Sequence, residues 1–234
     1  MIKLLIVEDD AMLRYIMQSS FQQQLEGYEV LTAENGEEGL TMWEQYHPDA
    51  IVSDIVMPQM DGFEMVKRIR ETDGDTIIFF ASTLVTPEDV KQGFAVGANN
   101  YVKKPFTPDE LDAHIQAILK IRHQGKFRNE SNAHTLGNYV LDADKHTLLH
   151  QASGFLKKLT LRETQLLKLL AENKNEIIRR ETILKRFWNT EADFYASRSL
   201  DVFITGLRKL FKEDPRVKIE NVRGVGLRLS VDNA

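Results

Sequence analysis

The chain has 234 residues, 42% apolar and 28% charged, with a net charge of −5 and no cysteine. No apolar run reaches the roughly eighteen residues of a membrane helix, and the first residues meet Glu8, Asp9 and Asp10 too early for an export signal. Disulfides, thiolate metal sites and cysteine nucleophiles are excluded, so a cytoplasmic protein that does not bind membranes is expected. The charge is uneven: residues 1–123 hold 10 Lys+Arg against 21 Asp+Glu, a net −11, whereas residues 124–234 hold 20 against 14, a net +6. An acidic half joined to a basic half implies two partners of different charge.

In chain order, Leu4–Val7, Ala50–Ser53 and Thr76–Phe80 are short, continuous apolar runs, the pattern of strands covered on both faces. Residues 29–33 and 100–102 are weaker strand candidates. Apolar residues at helical spacing predict helices over 37–46, 62–71 and 108–122. Strands alternating with helices predict an α/β doubly wound sheet of five parallel strands.

In such a sheet, chemistry gathers at the carboxyl ends of the strands. Glu8, Asp9 and Asp10 follow the first predicted strand, Asp54 the third, Ser82 and Thr83 the fourth, and Lys104 the fifth. Crowded carboxylates repel and call for a cation, and Mg2+ suits oxygen ligands that also handle phosphoryl oxygens. A lysine offers a point charge to a phosphoryl group. These residues fit a site where an aspartate accepts a phosphoryl group. Neither glycine-rich nucleotide loop is present, so the donor would be another protein or a small molecule.

Residues 123–136 lack apolar periodicity and are predicted to be a linker. Within 138–159, short strands are predicted over 139–141 and 147–149, with a turn at Ser153-Gly154. Thr160 with Glu163 is a capping box opening a helix that carries Leu166, Leu167, Leu169 and Leu170. A second helix is predicted over 180–187. A third is predicted from about Arg198, with Leu200, Phe203, Ile204, Leu207, Leu210 and Phe211 on one face and Arg198, Thr205, Arg208, Lys209 and Lys212 on the other. Asp201 is expected near its start, where a carboxylate suits the helix dipole. Residues 219–229 form a glycine-bearing hairpin with Arg223 at its tip. Together these predict an α+β winged helix, its third helix in the major groove of DNA and its hairpin arginine in the minor groove. A winged helix that binds protein is the other reading of this half.

Glu8-Asp9, Asp54 with Met57-Pro58 and Asp61-Gly62, Ser82, Tyr101 and Lys104-Pro105 together resemble the flavodoxin-like receiver domain of two-component response regulators. Residues 159–163, Trp188, Arg198–Val202, Leu207–Leu210 and Val222–Gly226 are similar to the DNA-binding domain of the OmpR/PhoB class. The resemblance implies a receiver over 1–122, a linker over 123–136 and a winged helix over 137–234. It implies that Asp54 is phosphorylated by a sensor histidine kinase. Glu8, Asp9, Asp54 and the carbonyl of Val56 would then hold Mg2+, and Lys104 would contact the phosphoryl group. Ser82 would move toward that group while Tyr101 turns inward, and Lys104–Pro105 would be cis. The implied role is a phosphorylation-controlled transcriptional regulator, not an enzyme, with promoter DNA, RNA polymerase and a second copy of the chain as partners. The alternatives are a phosphorylation-independent regulator with a vestigial receiver and, ranked last, a phosphatase. The phosphatase lacks an acid/base group two residues after Asp54, where Val56 stands.

Four positions depart from the pattern of the class. Val90, Asn99, Asn100 and His114 stand where charged residues form the usual dimer-face pairs. They predict a dimer held mainly by apolar contacts. Thr205-Gly206 likewise stands where basic residues are common, and close approach to DNA or tight helix packing would explain the glycine.

Overall fold

The computed structural model describes residues 1–25, 27–125, 132–188 and 194–232. The chain divides into two compact units, Met1–Lys120 and Ile121–Ala234.

The first unit is a parallel sheet in the order β2-β1-β3-β4-β5, formed by β1 (Ile2–Val7), β2 (Tyr28–Ala33), β3 (Ala50–Ser53), β4 (Ile77–Ser82) and β5 (Asn100–Lys103). β3 and β4 are buried along their whole length, which explains their unbroken apolar runs. Each fully buried Leu, Ile or Phe here contributes about 1.5–3 kcal/mol. The connecting helices are α1 (Ala11–Gln23), α2 (Gly36–Tyr46), α3 (Gly62–Thr72), α4 (Pro87–Ala95) and α5 (Pro108–Gly125). α2, α3 and α5 stand where helical spacing predicts them. α1 and α4 carry no clear apolar stripe, and their start signals are polar. Asp10 caps α1 by accepting from the backbone N–H groups of Met12 and Leu13, each at 2.9 Å. Thr86 and Asp89 form a capping box ahead of α4, with Pro87 in its first turn.

The second unit opens with an antiparallel sheet, β6 (Ala133–Leu136), β7 (Tyr139–Asp142), β8 (Thr147–His150) and β9 (Phe155–Lys158), in sequential order. The linker predicted over 123–136 is therefore shorter than expected. Residues 123–125 continue α5, and 133–136 pair with β7 and bury Leu136. Residues 126–131 lie outside the described residues. β9 escaped the sequence because all four of its residues are exposed and show no alternation.

Three helices follow: α6 (Leu161–Glu172), α7 (Arg180–Trp188) and α8 (Phe194–Leu210). The capping box of Thr160 and Glu163 is present at α6. α8 begins four residues before the predicted Arg198. Leu200, Phe203, Ile204, Leu207 and Phe211 are buried as expected, while Leu210 is half-buried. A second sheet in the order β10-β12-β11 joins β10 (Ile177–Arg179), β11 (Val217–Val222) and β12 (Gly226–Val231). Gly224 has φ +71° at the β11–β12 turn, a conformation that L side chains adopt only with strain. Among the described residues, no helix is long and apolar enough to cross a membrane.

Candidate functional site

The sheet delivers the predicted residues to one edge. Glu8 directly follows β1, Asp54 follows β3, Ser82 closes β4 and Lys104 directly follows β5. Carboxylate oxygens of Glu8, Asp9 and Asp54 lie within 4.8 Å of one another. Lys104 Nζ donates to Glu8 Oε2 at 2.7 Å and to Asp54 Oδ2 at 2.5 Å. Burial pushes the Glu8 carboxyl above its ordinary value, against the lowering effect of Lys104. Burial alone would lower the Lys104 ammonium, but Asp54 and Glu8 outweigh it and hold the ammonium above its usual range. The donor set suits a hard divalent cation: three carboxylates lie together, and Lys104 pairs with two of them.

Local geometry fixes Asp54. Asp54 Oδ1 accepts from the backbone N–H of Ile55 at 2.6 Å. The start of α3 packs against this loop, and a Cβ on Gly62 would lie 2.2 Å from the Asp54 carbonyl oxygen. Asp61-Gly62, which a turn alone would explain, is thus an N-cap followed by a close approach to the Asp54 loop. Val56 is 62% exposed beside it. Asp10 faces away to cap α1. The sequence gives no spacing signal for Arg14, whose Nη1 donates to the Glu8 carbonyl while its Nη2 pairs with Glu34 at 2.7 Å. The Lys104–Pro105 peptide is cis.

Ser82 and Tyr101 are both buried. Ser82 Oγ accepts from the Leu84 N–H at 3.3 Å, and the Tyr101 hydroxyl donates to the Leu84 carbonyl. The Tyr101 ring lies inside against Phe80 and Phe94. The inward position expected only after phosphorylation is therefore already adopted.

The dimer-face expectation needs correction. Val90 and Asn99 are 0% exposed and Asn100 is 4% exposed. Asn99 Oδ1 accepts from the Ile78 N–H at 2.7 Å and from Arg70 Nη2 at 2.9 Å. Asn100 Nδ2 meets His114 Nδ1 of the same chain at 3.2 Å. Val90, Asn99 and Asn100 serve the interior of the unit, so their lack of charge is no evidence for an apolar dimer. Matching positions to a class pattern identifies a residue type and does not establish its exposure.

In the second unit, Arg198, Thr205, Lys209 and Lys212 are exposed along α8 and its C-terminal continuation, and Arg223 is exposed at the hairpin tip. Arg208 departs from the expectation. Its Nε donates to the Ile219 carbonyl at 2.7 Å and its Nη2 to Asn221 at 3.1 Å, so it fastens α8 to β11. Asp201 also departs, because the longer α8 places it two turns in. There it pairs with Arg180 Nη1 at 2.9 Å, so an ion pair replaces the helix-dipole role. Arg180 Nη2 also donates to the Ser197 carbonyl, an anchoring role with no local signature. Arg162, likewise passed over, is fully buried with its guanidinium 4.8 Å from the Trp188 ring, and burial lowers it to about 9. The loop after Trp188 lies outside the described residues. A Cβ on Gly206 would find only Glu163 Oε1, at 4.0 Å, so tight packing does not explain that glycine.

Residues 4–116 match the family "Response regulator receiver domain", and residues 156–229 match "Transcriptional regulatory protein, C terminal". The chain is 35% identical to the transcriptional regulatory protein RprY of Bacteroides fragilis, over 97% of this chain and 94% of that one. It is 34% identical to AfsQ1 of Streptomyces coelicolor, over 97% of each. Among solved structures, a RitR mutant superposes with a TM-score of 0.74 at 25% identity, covering 99% of this chain and 100% of that one. The Thermotoga maritima OmpR/PhoB homologue DrrB gives a TM-score of 0.51 at 28% identity, covering 98% and 99%. The chain belongs to the OmpR/PhoB-type response regulators, in which a receiver domain precedes a DNA-binding domain.

Proposed function

We propose that this regulator is phosphorylated on Asp54 by a sensor histidine kinase and that the phosphorylated chain controls transcription by binding promoter DNA. The observation that carries this reading is Lys104 Nζ bridging Glu8 and Asp54 at the rim of the parallel sheet. An Asp54 carboxylate oxygen forms the new bond to phosphorus as the phosphorus–nitrogen bond to the donor histidine breaks. The imidazole leaves with the electron pair, and Asp54 becomes an acyl phosphate. Lys104 moves one of its hydrogen bonds from a carboxylate to a phosphoryl oxygen. Glu8, Asp9, Asp54 and the Val56 carbonyl would hold Mg2+. Bound there, it would offset the charge of the phosphoryl oxygens. Met12, Tyr15 and Ile16, exposed on α1 just beyond Asp9 and Asp10, offer the kinase an apolar docking face.

The switch reading rests on Leu84, which Ser82 holds by its N–H and Tyr101 by its carbonyl. A phosphoryl group that draws Ser82 toward Asp54 releases one side of that grip and loosens the other. In the second unit, Arg198, Lys209, Lys212 and Arg223 supply phosphate contacts, with α8 as the groove-reading helix. We assign the protein to the cytoplasm, where such a kinase could reach the receiver.

The test is promoter-DNA affinity of the full chain with and without a small phosphodonor and Mg2+, for wild type and Asp54→Asn. A salt-sensitive gain in affinity confined to the wild type is expected. Equal gains in both proteins would overturn the role of Asp54.

A further inference from the structure

The central part of the exposed face of α8 carries short side chains. At about 100° per residue, Arg198, Val202, Thr205 and Lys209 fall along one stripe, with cationic residues at its ends. Arg198, Thr205 and Lys209 are exposed and Val202 is half-buried. The polar groups that border the middle of the stripe each make a contact within the chain. The Asp201 carboxylate pairs with Arg180, and the Arg208 guanidinium is tied to the backbone of Ile219 and to Asn221. The Thr205 hydroxyl donates at 2.7 Å to the Asp201 carbonyl one turn earlier. With that hydrogen spent, the methyl group is what Thr205 chiefly presents outward, beside the methyls of Val202. At Gly206 the space that a Cβ would fill is open apart from Glu163 Oε1 at 4.0 Å, so the backbone there is bare on the flank of the same stripe.

The major groove offers one apolar group that marks a base, the 5-methyl of thymine. We propose that Thr205, with Val202 beside it, is a specificity-determining contact of α8 that reads thymine 5-methyl groups. Arg198 and Lys209 at the ends of the stripe hold the flanking phosphates. The proposal rests on α8 being the groove-reading helix and adds which base chemistry the middle of that helix selects. A cytosine at the same place lacks the methyl group. A purine there carries no methyl group for Thr205 and Val202 to meet.

The test uses the full chain and a duplex enriched by the wild type from a randomised pool. Each thymine is then replaced in turn by deoxyuridine, which removes only the 5-methyl group. At one or two positions per bound helix, the replacement should weaken wild-type binding by about fourfold, the equivalent of leaving one buried methyl(ene) group unmatched. Thr205→Ser keeps the hydroxyl and loses the methyl, so it should be indifferent to the replacement at one of those positions at least. Thr205→Val keeps a methyl and loses the hydroxyl, so it should remain sensitive. Wild-type binding indifferent to every replacement would overturn the proposal while leaving DNA binding intact. Sensitivity that persists in Thr205→Ser and disappears in Thr205→Val would assign the readout to the hydroxyl and overturn it as well. Failure to enrich any duplex would overturn the reading of α8 as a DNA-binding helix, and the thymine contact with it.

Discussion

Ser82 and Tyr101 hold opposite ends of one residue: Ser82 Oγ accepts from the Leu84 N–H, and the Tyr101 hydroxyl donates to the Leu84 carbonyl. This shared grip connects the end of β4, beside the carboxylate cluster, to the β4–α4 loop. Tyr101→Phe keeps the ring against Phe80 and Phe94 and removes only the hydroxyl. It should cost about 1 kcal/mol of stability in a denaturant titration. It should also shrink the gain in DNA affinity on phosphorylation severalfold, leaving phosphorylation itself intact. A full gain in the variant would show that the signal bypasses Leu84.

The buried position of Val90 predicts that restoring a charge there harms the fold and does not rebuild a dimer face. Val90→Lys would place an unpaired ammonium where wild type has no exposure, at a cost of about 3–5 kcal/mol. Thermal melts read this directly. A Val90→Lys protein as stable as wild type would contradict the placement of α4.

Gly206 lies within α8 with room for a side chain. Glycine costs about 1 kcal/mol relative to alanine inside a helix, so Gly206→Ala should stabilise the second unit by about that amount. Circular dichroism melts would detect the gain, and a loss of stability would reveal crowding at α8.

Asp214 is buried beneath the β6–β7 turn. It accepts from Arg216 Nε and Nη2 at 2.8 Å each and from the Asn138 N–H at 2.8 Å. The Arg216 guanidinium, followed by the backbone N–H groups of Asn138 and Arg216, holds its carboxyl well below the usual carboxylate range. A depressed folded-state value contributes stability above the unfolded value of about 3.9, and that contribution is lost as pH falls further. Asp214→Asn should therefore cost about 1–3 kcal/mol near neutrality. The gap between variant and wild type should narrow as pH drops below about 4. A gap constant over that range would assign the effect to packing and exclude charge as its source.

The sequence was most informative where burial is uniform or where chemistry is local. β3 and β4 were visible because both faces are covered, and Glu8, Asp54, Ser82 and Lys104 because each ends a strand of one parallel sheet. Long-range pairing was not visible. Nothing near Arg208 indicates that its guanidinium reaches Ile219 and Asn221, and nothing near Asp201 indicates Arg180. β9 was missed because an exposed edge strand has no apolar alternation. Val90 and Asn99 were misplaced for a related reason, since residue type at a position does not reveal which way the backbone turns it.

The most direct measurement is the intact mass of the full chain after incubation with Mg2+ and a small phosphodonor, for wild type and Asp54→Asn. One added phosphoryl group on the wild type and none on the variant is the predicted result. An unmodified wild type, or equal modification of both proteins, would contradict Asp54 as the phosphoacceptor.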